Sequence, residues 1–290
     1  ATIGNARSIA DWLAAIRGRP CVVVQEKRRP VPLFPLFLHP SGRLLPLTSP
    51  NRKGAQPHPM VSDFTRRCPR RSGRGNQLAS LGRVLDVLHR YDLLPAIFFL
   101  KSRADCDQAL NVCCDPMPGE DDRRLRLSAR IAEFIRQCPR LARHHQLSAL
   151  QERSVGAHHA GQLPSWKLML ESLMTEGLLD AVFATTTVAA GVNFPARTIV
   201  MLNSDRFNGT QFLPLDPTEF HQMTGRAGRR GMDNIGFALA IPGRFMDIAH
   251  IVRLLKSPAS DVVSQIRINF SMVLNLLLSH PPEQIEDLLR

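Results

Sequence analysis

From residue 76 onward, short apolar runs of strand length alternate with segments of helical period, and this alternation limits the fold more than any other feature of the chain. Ala96-Ile97-Phe98-Phe99-Leu100 is apolar at every position, as a strand covered on both faces must be. Val155-Gly156-Ala157, Ala181 to Ala184, Thr198 to Leu202 and Gly236 to Ile241 repeat the pattern. Between them lie helical segments: Gln77 to Tyr91 with Leu78, Leu81, Val84, Leu85 and Leu88 on one face, Arg103 to Val112, Leu125 to Cys138, Pro164 to Glu176, and Pro217 to Gly228. Strands alternating with helices predict an α/β fold, a parallel sheet wrapped by helices. In such folds phosphate ligands sit at strand ends beside helix N-termini.

The flanking regions differ. Asn5 to Gly18 has a helical stripe (Ile9, Trp12, Leu13, Ile16), with Asn5 as its cap and Gly18 as its stop. Cys21-Val22-Val23-Val24 predicts a strand. Leu33 to Leu38 and Leu44 to Leu47, around Ser41-Gly42, predict a hairpin. Residues 50 to 75 are rich in Pro, Gly, Ser and Arg and carry Arg66, Arg67, Arg70, Arg71 and Arg74. They read as a mobile basic linker, with a phosphate-contacting arm as the alternative. Residues 244 to 290 carry helical signals and no strand signal.

The chain has 37 Lys and Arg against 25 Asp and Glu, a formal charge of +12. That excess suits a polyanionic partner, nucleic acid before membrane, although an Arg-rich proteome would produce it too. No apolar run of ~18 residues is present, so no spanning helix is predicted. The six cysteines, at 21, 68, 106, 113, 114 and 138, have no C-x-x-C spacing. Reduced thiols in a cytoplasmic protein are expected, with neither a zinc site nor a disulfide framework.

The chemistry concentrates in Gln222-Met223-Thr224-Gly225-Arg226-Ala227-Gly228-Arg229-Arg230-Gly231. If Pro217 to Gly228 is one helix, Gln222, Arg226 and Arg229 lie near one another on successive turns. Guanidinium groups so spaced can clamp a phosphate chain and stabilise charge developing on a transferring phosphoryl group. That geometry requires both to face an open surface rather than be locked into internal ion pairs. A solvated basic helix end accounts for a lone Arg pair but poorly for the whole string.

This string resembles the sixth motif of superfamily-two helicases. Its ending, Arg229-Arg230-Gly231-Met232-Asp233, is similar to the superkiller and exosome-associated RNA helicase branch. Ala184 to Pro195 resembles the fifth motif, with Thr186 where the family usually has Glu or Pro. Ile97 to Arg103 resembles the fourth, His158-His159-Ala160-Gly161 the segment between fourth and fifth, and Ala1-Thr2 the end of the third. Ile266 to Leu277 resembles the entry to a winged-helix domain.

The resemblance implies the carboxyl-side half of an ATP-dependent RNA helicase. Arg229 would be the arginine finger, with Arg226 its companion on the phosphates and Gln222 on the same ATP-facing surface. Gly191 and Asn193 would lie toward the nucleotide. Ser102, Arg103, His159, Gly161 and Thr185 would hold the nucleic-acid backbone. Adjacent histidines point to different sides, so His158 and His159 are not read as metal ligands. The cofactor would be ATP with Mg²⁺, bound mainly by a first core domain preceding Ala1, since no G-x-x-x-x-G-K-[ST] occurs here. The fragment alone is then expected to hydrolyse ATP negligibly.

The implied domains are 1–20, the end of the first core domain; 21–75, hairpin and basic linker; 76–243, the second RecA-like core domain; and 244–290, leading into the winged-helix domain. RNA is the implied partner, together with the first core domain and RNA-processing or degradation proteins, and no membrane. A DNA helicase of the related repair branch, a non-catalytic nucleic-acid-binding module and a basic structural scaffold are the alternatives.

Overall fold

The sheet is built around β3 (Ala96–Leu100), whose five residues are all buried. The computed structural model describes residues 3–26, 28–49, 56–67, 81–112, 121–185, 194–207, 210–264 and 268–289. On one side of β3 lie β5 (Ala181–Thr185) and then β4 (Val155–His158). On the other lie β6 (Thr198–Met201), β9 (Gly236–Ala240), β1 (Leu33–Leu38) and β2 (Leu44–Pro46). Every neighbour pair is parallel except β1 with β2.

Alternation along each strand feeds two apolar layers. Ile97, Phe99, Val182, Ala184, Ile199 and Met201 face a layer with α2 (Pro59–Arg67), α5 (Asp121–Gln137), α7 (Pro164–Thr175), α8 (Pro217–Thr224) and α9 (Ile248–Leu254). Ala96, Phe98, Leu100, Phe183 and Val200 face the opposite layer with α3 (Leu81–Arg90) and α4 (Arg103–Val112). The expected α/β class holds, with a parallel sheet wrapped by helices. Among the described residues, no helix is long and apolar enough to cross a membrane.

Several local expectations change. Cys21 to Val24 is not a strand: Val22 and Val24 are 83% and 94% exposed, and a β-branched run becomes a strand only when a neighbour takes up its backbone groups. The hairpin forms, but β1 pairs in parallel with β9 from Leu33↔Gly236 to Phe37↔Ala240. It is therefore part of the main sheet and not a separate segment. The basic stretch contains α2, because Val61 and Phe64, three residues apart, share the face that packs on the core. Residues 68–80, with Arg70, Arg71, Arg74 and Leu78, lie outside the described residues.

Two short segments escaped the periodicity argument. One is α6 (Leu147–Arg153). The other is the hairpin of β7 (Asp205–Phe207) and β8 (Phe212–Pro214), whose Phe207 and Phe212 rings lie 5.2 Å apart.

The chain divides into two compact units. The sheet and its helices occupy Val22–Ser260, so the hairpin, α2 and α9 fall in the same compact unit as the strands. The second unit joins Ile3–Cys21 to Asp261–Arg290. It holds α1 (Ala6–Arg17), α10 (Phe270–Leu277) and α11 (Pro282–Leu289).

Within the second unit Asn5 does not cap α1 through its side chain. Its amide instead spans Val262, donating to the carbonyl at 3.0 Å and accepting from the N–H at 2.8 Å. Gly18 does end α1, in the left-handed conformation with φ 61°.

Val61 is fully buried and Met60 is 52% exposed. Val61→Ala removes two buried carbons at ~0.8 kcal/mol each, so urea unfolding should show a loss of about 1.5 kcal/mol while Met60→Ala shows almost none. Equal, negligible effects would mean that this stretch is a linker after all.

Candidate functional site

The sequence-predicted residues divide between the two edges of the sheet. Ser102 and Arg103 follow β3, His159 and Gly161 follow β4, and Thr185 ends β5, all at the carboxyl edge. Arg226 and Arg229 lie at the amino edge, where the Ala196 N–H donates to the Arg226 carbonyl at 2.9 Å and Gly228 N–H to Ala196 at 2.7 Å. With ~3.3 Å per residue, five-residue strands set the two groups roughly 16 Å apart. Thr186 to Asn193, with Gly191 and Asn193, lies outside the described residues, as do Ala1 and Thr2.

At the carboxyl edge Ser102 Oγ accepts the Asp105 N–H at 3.0 Å and so caps α4. The hydroxyl keeps its own proton to donate. Ser102, Arg103 and Gly161 are exposed. A Cβ at Gly161 would stand 3.2 Å from His159 Nδ1, so the missing side chain lets the loop close on the imidazole ring, with Arg103 Cδ next to it.

His159 is only 4% exposed and faces inward. Its Nδ1 accepts the Gly161 N–H at 3.2 Å, and its Nε2 lies 3.3 Å from Asp107 Oδ1 and 3.0 Å from Gln162 Nε2. Asp107 also accepts from Gln146 Nε2 at 2.7 Å, and Gln146 Oε1 accepts the Ala157 N–H at 3.0 Å. This network ties α4 to the end of β4. His159 is thus placed to orient the Gly161 loop and not to reach outward. His158 turns to the opposite face, its Nε2 2.9 Å from Glu171 Oε1, so the two rings cannot share one ion. Burial pulls the His158 pKa below the ordinary histidine value against the opposing pull of Glu171.

The helix that ends at the amino edge, α8, starts with a reciprocal capping box between Asp216 and Glu219 and with Pro217 in its first turn. Gln222 lies in its last turn. The helix ends at Thr224, four residues before the expected Gly228, so Arg226 and Arg229 are not on successive turns of one helix. They occupy a folded turn instead. Gly228 has φ 86°, and a Cβ there would come within 2.5 Å of Val31 Cγ1. A Cβ at Gly236 would stand 2.6 Å from the Ala227 carbonyl carbon. The glycines of this string let the turn lie directly against the neighbouring backbone.

Arg29, from a segment with no chemical signal in the sequence, holds the turn from below. Its Nη2 donates to the carbonyls of Thr224 at 3.1 Å and Ala227 at 2.9 Å, and its Nε to Val31 at 3.2 Å. Burial lowers the pKa of the Arg29 guanidinium. The side chain satisfies carbonyls that the helix end leaves open.

Arg226 is half-buried, and burial likewise lowers its pKa. Arg229 does not meet the requirement of standing outside internal ion pairs. Asp233 Oδ2 accepts its backbone N–H at 2.8 Å and Nε at 2.9 Å, and Oδ1 accepts Nη2 at 2.9 Å. The side chains are 14% and 3% exposed. Burial pushes the Asp233 pKa up, but the Arg229 bonds and charge, with Arg197 adding to them, outweigh it and hold the carboxyl below its usual range.

The mostly parallel sheet with flanking helices is that of a RecA-like α/β domain, and by its relatives the chain belongs to the superfamily-two helicases. Within them it falls in the superkiller and exosome-associated branch. It is 36% identical over 318 residues to the probable helicase HelY of Mycobacterium tuberculosis, a match covering 100% of this chain and 34% of that protein. It is 32% identical over 311 residues to the human superkiller complex protein 2 and 30% over 292 residues to the human exosome RNA helicase MTR4. Each of these covers 96% of this chain, and 24% and 28% of those proteins. The chain thus spans a quarter to a third of the length of these relatives. No family model matches it.

Arg29→Ala strips two buried carbonyls of a charged donor, an effect of about 1.5–3 kcal/mol that denaturant unfolding should register. Arg29→Lys should recover only part of it, since an ammonium lacks the planar fork. Full recovery by Lys would mean that charge alone holds the turn.

Proposed function

We propose that this chain is the second RecA-like half of an ATP-dependent RNA helicase, with the nucleotide phosphates served from the amino edge of the sheet and the nucleic-acid backbone held at the carboxyl edge. The single observation that carries this reading is the multiply anchored turn presenting Arg226 and Arg229. A half-buried guanidinium has lost part of its hydration, and an arriving phosphate offsets that loss more effectively than water does. Asp233 is already committed to Arg229, so its charge is offset before a phosphate arrives. The residues present therefore fit one side of a triphosphate, and Mg²⁺ would be held by the other core domain.

ATP, when bound, supplies the free energy of phosphoryl transfer. Arg226 would neutralise phosphate charge, and Arg229 would stabilise the charge that develops in the transition state. The pair with Asp233 excludes a freely swinging finger. It engages Nε and Nη2 and leaves Nη1 for the phosphate. Gln222, in the last turn of α8, would face the nucleotide with them, and Gly191 and Asn193 would complete that side.

At the opposite edge Ser102 would donate its hydroxyl proton and Arg103 its guanidinium to successive backbone phosphates, with Thr185 beside them. Gly161 and His159 would shape the loop beneath. Contacts of this kind read charge and shape and leave base sequence unread. RNA is favoured over DNA by the ending Arg229 to Asp233 and by relatives named as an exosome RNA helicase and a superkiller complex protein. Closure of the two core domains on ATP would move the carboxyl-edge grip relative to that of the first domain. Residues 1–20 would close the first domain, and 261–290 would lead into a winged-helix domain. The 290-residue chain by itself, lacking a phosphate-cradling loop, would turn ATP over negligibly.

In the full-length enzyme Arg229→Ala should lower RNA-stimulated ATP turnover by roughly 10³-fold with RNA affinity almost unchanged. Ser102→Ala with Arg103→Ala should weaken RNA binding evenly across sequences and flatten its salt dependence by about one phosphate contact. Turnover and binding lost together in both variants would point to a purely structural role. Unwinding of tailed DNA duplexes in preference to RNA would place the enzyme with the repair helicases.

A further inference from the structure

Asp233, whose side chain is 3% exposed, lies beside the most reactive side chain of the proposed site. We propose that Asp233 is a positioning residue that holds the Arg229 guanidinium side-on, fixing in advance the edge that meets the transferring phosphoryl group. This inference rests on the reading of Arg229 as the residue that reaches the nucleotide.

Three bonds run from the Arg229 residue to one carboxylate, through the backbone N–H, Nε and Nη2. A guanidinium held at both Nε and Nη2 cannot rotate about its terminal bonds without breaking two charge-assisted hydrogen bonds. The remaining Nη1 is directed away from the carboxylate, and a Cβ built on Gly177 would lie 4.0 Å from it.

Asp233 is itself held. Its N–H donates to the Arg229 carbonyl at 2.9 Å, closing a five-residue turn in which Gly231 has φ 79°. The Arg197 guanidinium stands 3.8 Å from Oδ1 and pairs with Asp92 at 2.6 Å. Arg197 immediately precedes β6, and its carbonyl accepts the Phe237 N–H at 3.0 Å. The orientation of Arg229 is thus referred back to the sheet through Asp233. The chain of contacts carries two guanidinium groups and two carboxylates, so removing Asp233 leaves two cations facing one another across the turn.

The test is a double-mutant cycle in the full-length helicase. Asp233→Asn keeps the shape and removes the charge. Its kcat for ATP should fall about 10- to 100-fold, the scale of a small misplacement of a reacting group. KM for ATP and RNA affinity should change little. In the Arg229→Ala background Asp233→Asn should cause no further loss of turnover. Wild-type kcat in Asp233→Asn, or additive losses in the double variant, would overturn the proposal. Wild-type turnover in Arg229→Ala alone would identify the reading of Arg229 as the failure.

A second readout needs no nucleotide. In the uncomplexed full chain the Arg229 Nε–H, followed by nitrogen-15 NMR, should exchange slowly with solvent and become fast in Asp233→Asn. Fast exchange in the wild type contradicts the proposal. If Asp233→Asn does not fold, Asp233→Glu retains the charge and displaces it by one methylene, and it too should lower kcat.

Discussion

The functional turn depends on one packing constraint: the backbone from Thr224 to Asp233 must lie flat against the amino ends of β1, β6 and β9. The bonds between Ala196 and residues 226 and 228 bring it there, and Gly228 permits it. Arg29 then fastens it from the segment that leads into β1, the strand beside β9. Because these supports come from separate parts of the sequence, the turn is a product of the assembled sheet and not of its own helix. The direction of Arg226 and Arg229 follows from that assembly.

The same sheet explains the separation of tasks. Parallel strands present all their carboxyl ends on one side, and there the chain gathers short polar loops: Ser102 at the start of α4, and Gly161 under Arg103. The Asp107, Gln146 and His159 network makes these loops parts of one polar structure. The amino ends carry the arginine turn. If the two edges hold the ligands proposed for them, the rigid strands between them would meet the mechanical requirement of a motor domain, since a force applied at one edge would reach the other through backbone hydrogen bonds and a filled core.

Much of this was legible in the sequence, and the limits have physical causes. β3, β5, β6 and β9 were readable because a strand buried on both faces needs an unbroken apolar run. The string from Gln222 to Gly231 marked its own importance. The end of α8 was misjudged, since residues up to Gly228 are compatible with a helix and only the approach of Ala196 and Val31 turns the chain earlier. Val61 and Phe64 were obscured by surrounding Arg and Pro residues. Arg29 lies 195 and 198 residues from the carbonyls it binds, and no local pattern reports such a pair. Asp233 was read only as part of a family ending, and its carboxylate acquired a partner only when the turn was folded. The inward direction of His159 depends on Asp107, a residue on α4 that no local pattern links to it.

The most direct test is the structure of the full-length protein bound to a non-hydrolysable ATP analogue and a single-stranded RNA. The account predicts nucleotide phosphates within hydrogen-bonding distance, about 3 Å, of Arg226 and Arg229 at the amino edge. It places RNA phosphates on Ser102 and Arg103 at the carboxyl edge. Nucleotide phosphates seated away from the arginine turn, or both ligands on the same edge of the sheet, would contradict it.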